Sequence, residues 1–139
     1  MKKLLLIFTL LFSTLMFSTP SYGEWTKMYV TTQGDTIYVD FEGIKKHGGY
    51  VYYWQLIDFL KPSSTNGSFS SKHYNQADCK LLKYQKLSIL FYNEPMGGGI
   101  QTSDSITSLK RSTSSNPFLF SMPPNSPPEE MLKRICNQS

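Results

Sequence analysis

The chain has 139 residues, a net charge of +4 and 14% aromatic residues. Its length corresponds to a single domain. A charge this small, without a basic helix, an RNP-like motif or zinc-ligand spacing, argues against the nucleic-acid-binding classes. Tyrosine dominates the aromatic residues beyond the N-terminus, and its ring suits half-buried sheet faces where the hydroxyl group stays in water.

The first 23 residues have the pattern of a secretory signal peptide. A positive start is followed by an uncharged, mainly apolar run at 4–17, and the small residues Ser21 and Gly23 precede the cleavage point. The run of about 14 residues is shorter than the roughly 20 that span a bilayer, which favours cleavage over an uncleaved anchor helix. We expect a mature domain at 24–139, exported to the periplasm or the outer cell surface. Its net charge is about +2, because the signal removes two lysines.

Two cysteines, Cys79 and Cys136, predict one disulfide, because an even number of cysteines in an exported chain usually pairs. The bond would close a loop of about 58 residues, for which the chain-entropy model gives about 4 kcal/mol. That is a large share of the roughly 5–15 kcal/mol that stabilises a typical domain. Free thiols and an intermolecular bond are the alternatives.

The mature chain begins with β-prone segments. Residues 25–30 alternate, with Trp25 and Tyr29 on the same side, and 36–40 resume the alternation after a glycine-containing turn. Two such runs predict a β-hairpin. Residues 41–49 lack the alternation and predict one helical turn closed by glycines.

Residues 50–60 give the clearest strand. Tyr50, Tyr52 and Trp54 share one face and Val51 the other, and both faces are largely apolar, which predicts a central strand. The aromatic row is either a binding platform, or core or the seat of the C-terminal helix. Core or helix seat is favoured, because large aromatic side chains of long strands are usually buried.

The middle of the chain predicts further strands. Residues 68–74 are polar and predict a short edge strand, and 78–93 predict a second long strand in which strict alternation separates Tyr84 and Lys86 from Ile89. The glycine-rich segment 94–99 predicts a flexible hairpin tip. A weaker last strand is predicted at 106–112.

The C-terminal segment predicts a short helix. Ser126 is a good N-cap, Pro127 suits the first helical position, and Glu129 completes a capping box. The stripe of Met131, Leu132, Ile135 and Cys136 is apolar. The predicted fold is therefore α+β, with a single antiparallel sheet of about five to six strands packed against a C-terminal helix that one disulfide clamps in place.

Several short motifs follow one another in a particular order along the mature chain. Trp25 opens the first strand, a Ser-Lys pair at 71–72 precedes an Asp-Cys pair at 78–79, and a capped helix ends at Cys136. This order resembles the bacterial surface-adhesin protein E family, over nearly all of 24–139. The resemblance implies an antiparallel sheet packed on a helix. For the best-known member it also implies attachment to host extracellular-matrix proteins and the formation of homodimers.

The residue types that could act in catalysis or bind a metal do not form a predicted catalytic site. His47 and His73 lack a second histidine or cysteine at metal-ligand spacing, so solvated surface side chains are expected for both. A triad of His73, Asp78 and a nearby serine can be drawn, but triads are defined by geometry and these residue types are common. We expect no catalytic, metal-binding or cofactor-binding residues and no enzymatic activity.

Two classes of function remain. The first is an exported, non-catalytic binding protein that holds an extracellular or envelope protein through exposed aromatic and basic side chains. Lys45, Lys46, Tyr84 and Lys86 are the predicted partner-binding residues, because aromatic anchors dominate protein-binding surfaces while lysines tune association. The alternative is a small secreted inhibitor or accessory protein that inserts its Gly-rich loop into a partner enzyme.

Overall fold

A computed structural model describes residues 24–105 and 120–138, which form an antiparallel sheet and one C-terminal α-helix. The strand order is β1-β2-β4-β5-β6-β7, with β3 paired to β4 and β8 paired to β6. The strands are β1 (Trp25–Val30), β2 (Thr36–Asp40), β3 (Lys45–His47), β4 (Tyr50–Asp58), β5 (Ser70–Asp78), β6 (Lys83–Tyr92), β7 (Gln101–Ser105) and β8 (Phe120–Ser121). The helix, α1, spans Pro127–Cys136. The predicted α+β class is confirmed, with more strands than expected because β3 and β8 are too short to leave a pattern.

The N-terminal hairpin of β1 and β2 is confirmed, but β1 does not alternate strictly. A β-bulge lies between Lys27 and Tyr29. Trp25 pairs with Asp40, whereas Tyr29 pairs with the buried Ile37. Directly paired residues share a sheet face, so the bulge turns Tyr29 toward the core and leaves Trp25 on the opposite face.

The predicted helical turn at 41–49 is wrong. Residues Lys45–His47 form the short strand β3, which pairs with the start of β4. Gly48 and Gly49 connect the two strands with φ angles of 61° and 82°. Glycine adopts such angles without steric cost, so the same glycines that suggested a helix end instead close a hairpin.

The predicted polar edge strand at 68–74 is also wrong in position. Strand β5 is nine residues long and lies between β4 and β6 in the middle of the sheet. Its inward side chains are buried although most are polar, as Ser71, His73 and Asn75 illustrate. The polar composition of β5 led to the wrong position, because hydropathy patterns identify a central strand by its apolar residues.

The predicted long strand at 78–93 is interrupted near its start. The Asp78 carboxylate accepts hydrogen bonds from the backbone N–H groups of Lys80 and Leu81 at 2.9 and 3.1 Å, forming a turn before β6. A second register shift, opposite Tyr74 and Asn75, changes the alternation within β6. Tyr84, Lys86 and Ile89 therefore share one face, and the strict alternation was wrong. The strand predicted at 106–112 and the signal segment 1–23 lie outside the described residues.

Helix α1 covers one face of the sheet. Its Ser126 side chain accepts a hydrogen bond from the backbone N–H of Glu129 at 3.3 Å, as the predicted cap requires. Met131, Leu132 and Ile135 are buried in a core that also contains Val39, Val51, Tyr53 and Ala77. Within the described ranges, no helix is long and apolar enough to cross a membrane.

The predicted disulfide is confirmed. Cys79, in the turn after β5, is bonded to Cys136, the last residue of α1, with 5.8 Å between the Cα atoms. A ten-residue helix is marginal on its own in water. The bond therefore holds α1 against the sheet at the helix end farthest from the Ser126 cap.

We expect Cys136→Ser to lower the free energy of unfolding by about 2–5 kcal/mol, because the unfolded chain regains the entropy of a long closed loop. Urea unfolding of a protein comprising residues 24–139 measures the change. The double variant Cys79→Ser/Cys136→Ser is the control and should lose no more than the single variant. Two reactive thiols in the non-reduced wild-type protein would contradict the assignment.

Candidate functional site

The two faces of the sheet differ in character. We name the face under α1, which carries Val39, Val51 and Tyr53, the helix face. We name the opposite face, which carries Trp25, Tyr52, Trp54, Tyr74 and Tyr92, the aromatic face. Tyr52, Trp54 and Tyr74 are partly exposed. The row at Tyr50, Tyr52 and Trp54 was expected to be core or the seat of the helix. This was wrong, because α1 packs on the other face and the rings of Tyr52 and Trp54 are partly exposed.

The aromatic side chains form a continuous row with fixed neighbours. The ring centroids of Trp54 and Tyr74 are 4.9 Å apart, and those of Tyr74 and Tyr52 are 6.2 Å apart. The Tyr52 hydroxyl accepts a 2.8 Å hydrogen bond from Gln76, whose side-chain oxygen accepts one from Gln85 at 2.6 Å. These contacts restrict the rings before any partner arrives, which reduces the entropy lost on binding.

A cleft of about 220 Å³ opens at one end of this row. Five strands, β1, β2, β4, β5 and β6, contribute to its lining, which consists of Trp25, Asp40, Trp54, Lys72, Leu90 and Tyr92. The chain has two tryptophans, and both line the cleft. The bulge in β1 contributes directly, because it keeps Trp25 on the aromatic face.

Lys72 is the cation of the cleft. Its Nζ lies 4.8 Å from the ring centroid of Tyr92 and 5.8 Å from that of Trp25, within the range of cation–π attraction. Across 24–105 and 120–138, the ion pairs closer than 4.0 Å involve Lys133 and two glutamates of α1, so Lys72 has no carboxylate partner there. Burial lowers the pKa of Lys72.

The Gly-rich loop is folded against the sheet beside the cleft. The Asp58 carboxylate accepts a hydrogen bond from the Met96 backbone N–H at 2.8 Å, and the Ser70 hydroxyl accepts one from Gly97 at 2.8 Å. Gly97 has a φ of 68°, and a Cβ atom at this position would overlap Cε of Lys72. The predicted hairpin tip is confirmed, since the loop joins the paired strands β6 and β7, but the loop packs on the stem of Lys72 and does not extend freely from the sheet.

The four predicted partner-binding residues do not form one patch. Lys45 and Lys46 are exposed on β3, where Lys45 pairs with Tyr52 and so borders the aromatic face. Lys46 pairs with Val51 on the helix face. Tyr84 and Lys86 are partly buried on that same face. Partner binding by these residues stays a prediction.

Tyr84 and Lys86 pack around a shared aromatic neighbour. The ring of Tyr84 stacks on Phe120 with 5.3 Å between centroids, and Nζ of Lys86 lies 5.8 Å from the same ring. Burial raises the pKa of Tyr84 and lowers that of Lys86. Both side chains therefore contribute to packing.

The histidines have different environments. His47 is exposed, as expected, but His73 is buried and its Nε2 lies 2.9 Å from the Ser71 hydroxyl oxygen. The surface prediction for His73 was wrong, because β5 is a central strand. Asp78 lies five residues along β5 and on the other face, so the drawn triad is not assembled. No cluster of three metal-ligating side chains occurs in the described part of the chain.

Comparisons with known proteins agree with this architecture. The family model described as Surface-adhesin protein E matches residues 25–137. Protein E of Haemophilus influenzae is similar in structure: its selenomethionine form has a TM-score of 0.54 at 14% identity, covering 86% of this chain and 92% of that chain. A second crystal form has a TM-score of 0.53 at 14% identity, with 86% and 94% covered. No curated protein sequence matches.

We expect acid to destabilise the fold through His73. Burial, assisted by the charge of Lys86, lowers the pKa of His73 to about 3, against about 6.5 in an unfolded chain. Between these values the unfolded state binds a proton that the folded state does not, so stability falls as the pH decreases, by up to about 1.4 kcal/mol per pH unit.

Urea unfolding between pH 7 and pH 4 measures this slope. His73→Gln should reduce the pH dependence even if it lowers stability at pH 7, because the titrating group is gone. His47→Gln removes an exposed imidazole and serves as the matched control, with the wild-type slope. An unchanged slope in His73→Gln would show that other groups cause the acid sensitivity.

Proposed function

Because the chain belongs to the surface-adhesin protein E family, we propose that it is an exported, non-catalytic protein that binds an extracellular or envelope protein through the aromatic face. The observation that carries the proposal is this face itself. It presents a fixed row of partly exposed tryptophan and tyrosine rings opposite the face that α1 occupies. Aromatic side chains in such rows are the usual anchors of protein-binding surfaces.

Export is part of the proposal. Residues 1–23 direct secretion, and the mature domain at 24–139 resides in the periplasm or on the outer surface. The Cys79–Cys136 bond supports this location, because structural disulfides form and persist in oxidising compartments. Family membership supports the outer surface, and the family resemblance favours a matrix protein as the partner. A homodimer is a further expectation from that resemblance.

The positive charges around the aromatic face suit the binding of a protein with an acidic surface. Lys45 borders the row beside Tyr52, and Lys72 lies at its other end. Lysines near an aromatic patch accelerate association with acidic surfaces and make it depend on salt. The inhibitor alternative has less support, because inserting the Gly-rich loop into an enzyme would break the bonds from Asp58 and Ser70.

The aromatic row gives the first test. We expect Tyr74→Ala to weaken binding of the mature protein to an immobilised basement-membrane extract by about tenfold or more, because Tyr74 contacts both Trp54 and Tyr52 and is a central anchor. Tyr74→Phe keeps the ring and should bind within about threefold of wild type. Biolayer interferometry measures both affinities.

Phe69→Ala is the matched control for ring loss, because Phe69 is exposed and lies outside the row. It should bind like wild type. Thermal midpoints show whether each variant is folded. Wild-type binding by a folded Tyr74→Ala protein would contradict the proposed surface.

The four sequence-predicted residues give a second test. Lys45→Ala/Lys46→Ala should reduce binding and its salt dependence and leave the thermal midpoint nearly unchanged, because both side chains are exposed. Tyr84→Ala/Lys86→Ala should lower the midpoint, because both side chains pack on Phe120. Calorimetry and interferometry separate the two pairs, and a reversed pattern would move the binding surface to the helix face.

A further inference from the structure

We propose that the cleft at the end of the aromatic face binds a carboxylated sugar ring of an extracellular glycan, with Lys72 as the partner of the carboxylate. The inference rests on the proposed function in using the same face, and it names the chemistry that this end of the face recognises. Three observations carry it: the unpaired cation, the shape of the cleft, and the position of Asp40.

The charge of Lys72 has no carboxylate partner among residues 24–105 and 120–138. Its ammonium group is half-buried between the rings of Tyr92 and Trp25, and no carboxylate of the described chain lies within ion-pair distance. Removing a charge from water is unfavourable unless it is paired. Cation–π attraction offsets part of this, and an anionic group of a ligand would supply the missing partner.

The size and walls of the cleft fit one ring. Its volume of about 220 Å³ is smaller than the roughly 300–1,000 Å³ of pockets for drug-sized ligands. Trp25 and Trp54 supply aromatic walls. One face of a pyranose ring presents C–H bonds, and their partially positive hydrogen atoms are attracted to the negative face of an aromatic ring.

Asp40 distinguishes a sugar from an acidic peptide. Asp40 lines the same cleft and makes no ion pair with Lys72, and one oxygen of its carboxylate accepts a hydrogen bond from the Gly43 backbone N–H at 3.1 Å. Either ligand would place its carboxylate at Lys72 and so bring a second negative charge into the cleft with Asp40. A sugar acid also carries hydroxyl groups that can donate hydrogen bonds to Asp40 and offset this repulsion, whereas an ionised Asp or Glu side chain has no donor.

The fold holds Lys72 in position for this role. Gly97 lies so close to its stem that a side chain would not fit, and the loop carrying Gly97 is bonded to Ser70 and Asp58 on the neighbouring strands. The Ser70 hydroxyl also donates to the carbonyl oxygen of Glu94 at 2.6 Å. Glycine at position 97 is therefore explained by its positive φ and by its close approach to the lysine.

Intrinsic fluorescence tests the proposal directly, because both tryptophans of the chain line the cleft. The mature protein is titrated with glucuronic acid, glucose and an acidic tetrapeptide. We expect a saturable change with glucuronic acid at a concentration at least about tenfold below that needed for glucose, since a charge-assisted hydrogen bond is gained.

Variants at Lys72 identify the carboxylate partner. Lys72→Met should weaken glucuronic acid binding by about tenfold or more, and Lys72→Arg should keep it within about threefold because the charge remains. Lys80→Met is the matched control, since Lys80 is exposed in the turn before β6, and should bind like wild type. Thermal midpoints confirm that each variant is folded.

Two results would overturn the inference. Equal responses to glucose and glucuronic acid, or wild-type affinity in Lys72→Met, would show that the cleft does not recognise the acid group. Saturation by the acidic tetrapeptide without a response to glucuronic acid would show that the cleft accepts a protein carboxylate. If the mature protein still binds the matrix extract when either result is obtained, the proposed function stands and only the sugar-acid inference fails. Wild-type binding of the extract by folded Tyr74→Ala would instead contradict the proposed function.

Discussion

The covalent clamp between α1 and the sheet is the constraint on which the rest of the structure depends. Cys136 joins the end of the helix to Cys79 in the turn after the central strand β5. A helix of ten residues buries only a few side chains and is marginal alone. Once it is fixed on one face, the sheet has a core, and the opposite face is not needed to form one.

The two faces of the sheet hold their aromatic side chains differently. The core under α1 combines the aliphatic side chains Val39, Val51 and Ala77 with the fully buried ring of Tyr53, while Tyr52, Trp54 and Tyr74 lie partly exposed on the other face. A folding core alone would favour burying these rings as well. Their partial exposure, with neighbours that hold them in place, is consistent with a binding surface. Lys72, which has no carboxylate partner among residues 24–105 and 120–138, is consistent with the same interpretation, because stability alone would favour an uncharged residue there.

Sequence patterns predicted the features that depend on local chemistry. The helix was predicted from its cap, its first-turn proline and its apolar stripe, and α1 spans the expected residues. The disulfide was predicted from the even number of cysteines and from the oxidising compartment expected for an exported chain. Strand β4 and the first hairpin followed from alternation. Each of these predictions depends on the residues of one short segment or, for the disulfide, on a single rule about cysteine pairing.

The features that sequence missed depend on long-range register. Strand β5 is polar, so its central position is visible only once β4 and β6 pair with it. The register shifts in β1 and β6 place Tyr29 and Tyr84 on the face opposite to the one that strict alternation predicts, and no residue type in these strands marks them. The cleft draws residues from five strands and was not predicted at all; the presence of both tryptophans on early strands was its only signal. Turn type at Gly48 was equally ambiguous, since a glycine ends helices and closes hairpins alike.

Hydroxyl-radical footprinting of residues 24–139, free and bound to a basement-membrane extract, tests most directly whether the face opposite the helix is the binding surface. The account predicts that Trp54, Tyr74 and Tyr52 become protected on binding while exposed Leu81, in the turn beside the disulfide, keeps its reactivity. Protection at Leu81 and Tyr84 with unchanged reactivity of the aromatic row would contradict it.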